Sequence, residues 1–494
     1  MSYIDLLSDD PSKVSSALDK AIKEDSASTA KSKAREGIRY YDYEHDILNN
    51  RIFYFDDNGT LKEDKYASNI KIPHAFHTEL VDQKVQYLLS NPVEVITEDE
   101  ELQEYLEEYY DEDFQVFLQD TLEGASNKGY EYIFARTTAE NKLSFQVSDS
   151  LKTFDIYDNN NNRVGVVRHY DKEITKDGKK ETITYAEIWT DESVTFYVKD
   201  KNKSFELDPN RENNPRPHVL GKDAEGTVYK RSYGRIPFNR LSNNKREKTD
   251  LEPIKALIDD YDIMAAYLSN NLQDFTDAIY VVKGFKGDDL SSLRQNIKAK
   301  KTVGVGTDGD VDIRTVEIPY EARQAKLEID KDAIYKFGMG FDSTQIGDGN
   351  ITNIVIKSRY ALLDMKANKA EVRLRAMLKW INEMIVEDIN RRHNTDFKAS
   401  DIYIEIVRET MVNENDIVKN EQIEAETKQV VIETILAVAP RIGDEETLKL
   451  ICEQYDLDWE EIQADLEEED YSSGLQDDTD PVEDDEDDEI EAAE

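Results

Sequence analysis

Between Pro253 and Phe275 the apolar residues Ile254, Leu257, Ile258, Tyr261, Ala265, Leu268, Leu272 and Phe275 recur at helical spacing. Lys255, Asp259, Asp260, Asp262, Asn270, Asn271 and Asp274 occupy the other positions. This pattern predicts one packed stripe on a helix whose remaining faces meet water or a partner. Upstream, Pro237 biases Ile236 toward extended structure, and Thr249 or Asp250 is placed to cap a helix that carries Pro253 in its first turn. A second helix is predicted from Pro319 to about Phe337, with Ala322, Ala325, Ile329, Ala333 and Phe337 on one side. The longest pattern, 355–392, sets Leu363, Ala367, Ala370, Leu374, Met377, Leu378, Ile381, Ile385 and Ile389 on one stripe, a rod of about 55 Å.

Elsewhere the period changes. Residues 1–35 are polar with a weak helical pattern at 11–23 and read as a mobile arm, with order beginning near Ile38. A hairpin-like turn is expected at Asp57-Asn58-Gly59, an amphipathic helix at 75–90 ended by Asn91-Pro92, and an acidic helical stretch at 98–128. From Tyr130 onward alternation predicts short strands at 132–134, 145–147, 154–156, 164–168, 183–189 and 194–198. Between the first two long helices lies a small β-α-β-β unit: a strand at 278–282, a helix at 288–298, and a hairpin of 302–305 and 311–318 closed over Asp308-Gly309. Gly338, Gly340, Gly347 and Gly349 interrupt 338–354, which is predicted to be irregular. A strand at 402–407 is expected to rejoin the sheet, and 413–465 returns to helix, broken at Pro440 and Gly443. The fold class is α+β.

A chain of 494 residues exceeds what one core usually serves, so more than one domain is expected. A single cysteine, Cys452, excludes a disulfide framework within the chain and suits a reducing compartment. The first residues lack a basic and apolar signal pattern, and no stretch approaches the roughly 20 apolar residues of a membrane span, so the chain is read as soluble, without membrane contact. The formal net charge of -45 argues against tight DNA binding, because a duplex carries one negative charge per about 1.7 Å. Part of that charge belongs to 467–494, which contains no Lys or Arg and is expected to be disordered.

Candidate chemistry is sparse. Gly304, Gly306 and Gly309 satisfy a dinucleotide pattern, but a strand is predicted where a helix must follow. Gly124 to Gly129 has phosphate-loop spacing with Tyr130 in the lysine position, and reads as a helix end. Asp308, Asp310 and Asp312 alternate like a calcium loop without its later glycine and glutamate. His74 and His77 are three apart, a spacing that could bring them to one face, but no further ligands are in view and a structural role is favoured. The chain is read as a non-enzyme, without cofactor or metal.

Two blocks carry a family resemblance. The run 234–280, GRIPFNRLSNNKREKTDLEPIKALIDDYDIMAAYLSNNLQDFTDAIY, and the run 334–371, IYKFGMGFDSTQIGDGNITNIVIKSRYALLDMKANKAE, resemble the portal proteins of tailed bacteriophages, in the branch of long-tailed phages of Gram-positive hosts. The resemblance implies a portal-type fold: arm 1–35, mixed wing 36–245, stem helix 246–277, small α/β clip 278–318, second stem helix 319–340, tunnel loop 341–354, long wing helix with a returning strand 355–412, helical crown 413–466, and the acidic tail. It implies a homo-oligomeric ring, a dodecamer in the family, at one vertex of the virion capsid and assembled in the host bacterial cytoplasm. Double-stranded DNA is then packaged and ejected through its channel, where acidic walls would keep the duplex from adhering, with plain solvated surface as the alternative reading of that charge. Implied partners are a terminase motor, which hydrolyses adenosine triphosphate, the major capsid and scaffolding proteins, and a head-completion adaptor. Ile254, Leu257, Ile258, Tyr261, Leu268 and Leu272 are the expected stem packing residues. Asp342, Ser343, Thr344, Gln345, Ile346, Gly347, Asp348, Gly349, Asn350, Ile351 and Thr352 are the expected tunnel loop. Lys331, Lys336, Lys357 and Arg359 are candidate phosphate contacts, with intermolecular salt bridges as the alternative. The composition also permits a monomeric acidic adaptor or DNA mimic; a terminase enzyme is disfavoured by the missing phosphate loop.

Overall fold

The computed structural model describes residues 3–8, 10–56, 58–65, 67–138, 141–176, 179–200, 203–211, 213–222, 228–274, 279–283, 310–314, 320–342, 353–408, 414–455 and 459. The expected helix at 288–298, the strand at 302–305, loop residues 343–352 and the tail 467–494 lie outside this set. The chain divides into two compact units, one of Met1–Gly349 with Val355–Thr410 and one of Asn350–Ile354 with Met411–Glu494.

The first unit begins with two ordered helices where a mobile arm was expected. Helix α1, Pro11–Ser26, is capped by the Asp10 carboxylate on the Ser12 N–H, with proline at its first position. It buries Val14, Leu18 and Ala21 against Phe154, Ile156, Val167, Ala186 and Tyr197 of a sheet. Helix α2, Thr29–Tyr41, is capped by Ser28 and carries the buried Lys31, Ala34 and Tyr40. The apolar stripe of α1 is short, and only the remote sheet makes its burial favourable.

Strands Phe53–Phe55 and Leu61–Glu63 pair across a turn in which Gly59 has a φ of 73°. Helix α3, Phe76–Leu89, follows. The acidic stretch is helical, in two pieces: α4, Glu100–Glu107, capped by Asp99, and α5, Glu112–Lys128, capped by Asp111. Helix α5 ends at Gly129 in the left-handed conformation, φ 87°, as its reading as a helix end requires. A Cβ there would also sit 2.2 Å from the Glu247 carbonyl oxygen.

The period-two region forms two antiparallel sheets. One has the order Glu206–Leu207, Ser193–Asp200, Lys179–Trp189, Arg163–Lys176, Thr153–Tyr157, with Arg216–Pro217 also paired to Ser193–Asp200. The other orders Phe238–Ser242, Tyr130–Thr137, Leu143–Ser148. The strand Tyr403–Glu405 does not rejoin either sheet; it pairs with Glu94–Ile96 beyond α3.

Helix α6, Lys255–Asp274, and helix α7, Tyr320–Gly338, pack on each other. Between them Ile279–Lys283 pairs antiparallel with Asp310–Arg314, so Asp310 and Asp312 stand in a ladder. Helix α8, Asn353–His393, has 41 residues. Its fully buried Leu374, Leu378, Ile381, Ile385 and Ile389 join α3, α4 and α5 in the largest core. In the second unit, α9, Glu414–Ile442, contains Pro440, and α10, Asp444–Tyr455, starts after Gly443 at φ 90°.

Candidate functional site

The block that opened the resemblance is a folded joint. Asn244 Oδ1 accepts from the N–H groups of Arg246 and Lys248, each at 3.1 Å, which curls the chain back on itself. Thr249 Oγ1 accepts from the Glu252 N–H while Glu252 Oε1 accepts from the Thr249 N–H, a reciprocal capping box. Thr249 thus caps the turn that leads into α6 and not α6 itself, and Pro253 sits in that turn, outside the helix's assigned span.

This joint delivers Asp250 into the protein. Its Oδ2 lies 3.1 Å from Lys84 Nζ on α3 and 3.2 Å from Lys366 Nζ on α8, while Oδ1 accepts from Asn243 Nδ2 at 2.8 Å. Lys84 also donates to Ser126 Oγ of α5 at 2.9 Å and to Asn243 Oδ1. Lys366 donates to the Gly338 carbonyl at the end of α7, at 3.0 Å. One carboxylate therefore connects the start of α6 to α3 and α8, and Lys366 connects it to the end of α7. Burial alone pushes the Asp250 carboxyl up, but Lys366 and Lys84 outweigh it and hold it well below the usual carboxylate range. Burial draws the Lys84 ammonium down.

The exit from α7 is equally specified. Met339 has a φ of 56°, and the Gly340 N–H donates to the Tyr335 carbonyl at 3.0 Å, a Schellman-type stop in which methionine holds the left-handed position. The flanking glycines serve close approach instead. A Cβ on Gly340 would lie 1.9 Å from Leu80 Cδ2, and one on Gly338 would lie 2.6 Å from Leu80 Cδ1. Leu80 is itself buried in the core with Ile254, Ile258 and Ile334. Beyond Gly340, the Phe341 ring stacks on Tyr360 of α8 with centroids 4.7 Å apart, and Asp342 Oδ2 lies 2.8 Å from Lys331 Nζ.

A third cluster fixes the outer flank of α6. Asp262, 1% exposed, takes His45 Nδ1 on one oxygen and His74 Nδ1 on the other, both at 2.7 Å. The His74 N–H donates to it as well, at 3.0 Å. Burial raises this carboxyl, but the two imidazoles outweigh it and the net shift is downward. Asn270 accepts from the Ile70 N–H at 2.7 Å. His77 goes elsewhere, to Asn127 Oδ1 at 3.0 Å, and burial lowers it to about 4. The two histidines whose spacing could bring them to one face thus have different partners.

Of the expected packing residues, Ile254 and Ile258 are fully buried with Tyr40, Phe76, Leu80, Leu251, Ile334 and Tyr335, and Leu257 and Tyr261 pack at the margin. Leu268 is half-buried and Leu272 is 59% exposed. The inward ridge of α6 instead continues through Asp262, Ala266 and Asn270, two of which were expected on solvent faces. The reason is the segment 45–74, which covers that flank and offers hydrogen bonds to polar side chains. Among the candidate cations, Lys331 is engaged within the chain by Asp342, and Lys336 is exposed. The side chains of Lys357 and Arg359 fall outside the described set, as do the loop residues from Ser343 to Thr352. Reasoning from sequence missed Lys84, Lys366 and His45; a lysine inside the apolar period of α3 was the available signal for the first.

A family model described as phage portal protein, SPP1 Gp6-like, matches residues 20–473. The chain is 31% identical over 456 residues to a portal protein of Bacillus phage SPP1, covering 89% of this chain and 88% of that one. It is 27% identical over 460 residues to a portal protein of Clostridium phage phiCD119, covering 87% of this chain and 95% of that one. A solved chain from the neck of a native GTA particle, computed with C12 symmetry, covers 76% of this chain and 89% of its own at 11% identity, with a TM-score of 0.29, too loose a superposition to argue from.

Proposed function

The chain belongs to the phage portal protein family, SPP1 Gp6-like, and from that premise we propose that it assembles into a ring, dodecameric as the family resemblance implies, at one vertex of a phage capsid. Double-stranded DNA enters and leaves through its channel. The match of the family model across residues 20–473 carries this reading. In it α6 and α7 form the stem, the ladder between them belongs to the clip, α8 is the wing helix, and 342–352 narrows the channel. The ring serves as the platform for a terminase motor, which hydrolyses adenosine triphosphate, and later for a head-completion adaptor. It is incorporated with the major capsid and scaffolding proteins during assembly in the host bacterial cytoplasm.

Physical features of the chain support these roles. The outer half of the helix pair presents Tyr267, Leu272, Tyr320 and Ile329 to the outside of the single chain, apolar surface that adjacent copies in a ring would cover. The acidic charge of the chain outside 467–494 would keep a duplex from adhering to a wall within about one Debye length, roughly 8 to 10 Å. The test joins mass to packaging. Purified protein is expected at many times the mass of one chain by light scattering; a monomer would end the ring reading. Deleting 347–350 is expected to leave rings that enter procapsids but package shorter or poorly retained DNA. Normal packaging in that variant would remove the loop from the channel mechanism, and loss of rings would make it a folding hinge instead.

A further inference from the structure

Directly before the loop, beyond the end of α7, the chain runs beside a glutamine more than two hundred residues away in sequence. Gln83 of α3 donates from Nε2 to the Phe341 carbonyl at 2.7 Å and accepts at Oε1 from the Phe341 N–H at 2.9 Å. Its amide thereby meets both backbone groups of one residue, as a neighbouring strand would. The second Nε2 hydrogen goes to Glu79 Oε1 at 3.1 Å, and Glu79 Oε2 accepts from the Tyr335 hydroxyl of α7 at 2.7 Å. The amide orientation is thus determined: turned over, its oxygen would face a carbonyl and a carboxylate, and its NH₂ would face an N–H.

We infer that Gln83 is the positioning residue for the 342–352 loop, holding the backbone of Phe341, from which the loop departs, at a set place relative to α3 and α7. The inference rests on the reading of that loop as the channel constriction. Three attachments act together at this point. Gln83 holds the Phe341 backbone, Tyr360 holds the Phe341 ring, and Lys331 holds the Asp342 carboxylate. Of these, only the Gln83 amide fixes the backbone itself, so it determines where the following residues begin. Gly338 and Gly340 cannot serve as a loose hinge, because both are packed against Leu80. A load applied to the loop is therefore resisted at Phe341 and passed through Gln83 to α3, and through Glu79 to α7.

The test uses assembled rings of the full chain. Gln83→Met keeps the length and bulk of the side chain and removes both bonds to Phe341. Rings of normal mass are expected, with the Phe341 amide exchanging its hydrogen about tenfold or more faster. Procapsids carrying the variant are expected to package shorter DNA. Tyr335→Phe removes only the hydroxyl that orients Glu79 and is expected to shift both readouts in the same direction by less; it carries the test alone if Gln83→Met forms no rings. Unchanged exchange at Phe341 overturns the clamp. Faster exchange with normal packaging, in a background where deletion of 347–350 impairs packaging, overturns the positioning role alone. If that deletion also packages normally, the loop reading has failed and this inference falls with it.

Discussion

Replacing Asp250 by asparagine should be among the most damaging single-atom changes in the chain. The carboxylate faces Lys84 at 3.1 Å, Lys366 at 3.2 Å and Asn243 Nδ2 at 2.8 Å. Lys84 is 1% exposed, so water cannot take over its charge. An asparagine has one acceptor oxygen where three donors converge, and its NH₂ must point at a lysine or at the Asn243 amide. Removing one partner from a buried ion pair costs about 3–5 kcal/mol, and that range is the expectation for Asp250→Asn. Lys84→Met should cost less, about 1–3 kcal/mol, because Asp250 keeps Lys366 and Asn243 while Ser126 loses a donor. Urea unfolding followed by tryptophan fluorescence measures both, comparing midpoints of the same transition in a chain with two compact units. The group is buried, so raising salt from about 0.15 to 1 M should barely change the difference. Its pH dependence has a definite sign. The folded carboxyl is held below its ordinary value, so its stabilisation is complete above the unfolded value of about 3.9 and is lost as pH falls toward the folded one. The gap between the natural protein and Asp250→Asn should be flat from about pH 5 to 8 and narrow only in stronger acid. A loss within about 0.5 kcal/mol, or a larger loss from Lys84→Met, would refute the assignment of Asp250 as the shared counter-ion.

Other perturbations separate packing within one chain from contacts between copies. Leu272→Asp, at a position 59% exposed in the single chain, should leave the unfolding midpoint unchanged yet abolish rings by light scattering; intact rings would place this face in solvent. Gly340→Ala should cost about 1–3 kcal/mol through its collision with Leu80, whereas Met339→Gly should be neutral or stabilising by up to about 1 kcal/mol, and the reverse order would contradict the described turn. Asp262→Asn should speed hydrogen exchange at the His74 amide without changing that at Phe341; equal protection in both proteins would mean that the His45 and His74 contacts do not hold the 45–74 segment on α6.

The parts legible in the sequence were those set by local period. The strands from Tyr130 to Asp200, the helices α6 and α7, and the 41-residue α8 lie where alternation or helical spacing put them, although the strand expected at 164–168 runs on to Lys176. What period cannot show is which polar residue has a distant partner. Asp262 and Asn270 look like solvent positions on a helical wheel, yet His45, His74 and Ile70 arrive from about two hundred residues upstream and make that flank the buried one. The same limit hid the first helix: Val14, Leu18 and Ala21 form a stripe too short to justify order until a sheet face made of Phe154, Val167 and Tyr197 lies against it. Glycine misled in a third way. Four glycines predict an irregular segment from Gly338 onward, but a missing Cβ permits close packing as readily as a wide range of φ: Gly338 ends α7, and Leu80 occupies the space beside it and Gly340. The family blocks located the joint at Asn243 to Asp250 without disclosing its chemistry. Only the placement of Lys84 and Lys366 around Asp250 explains why that polar run must fold inward, and why the start of α6 and the end of α7 share Lys366.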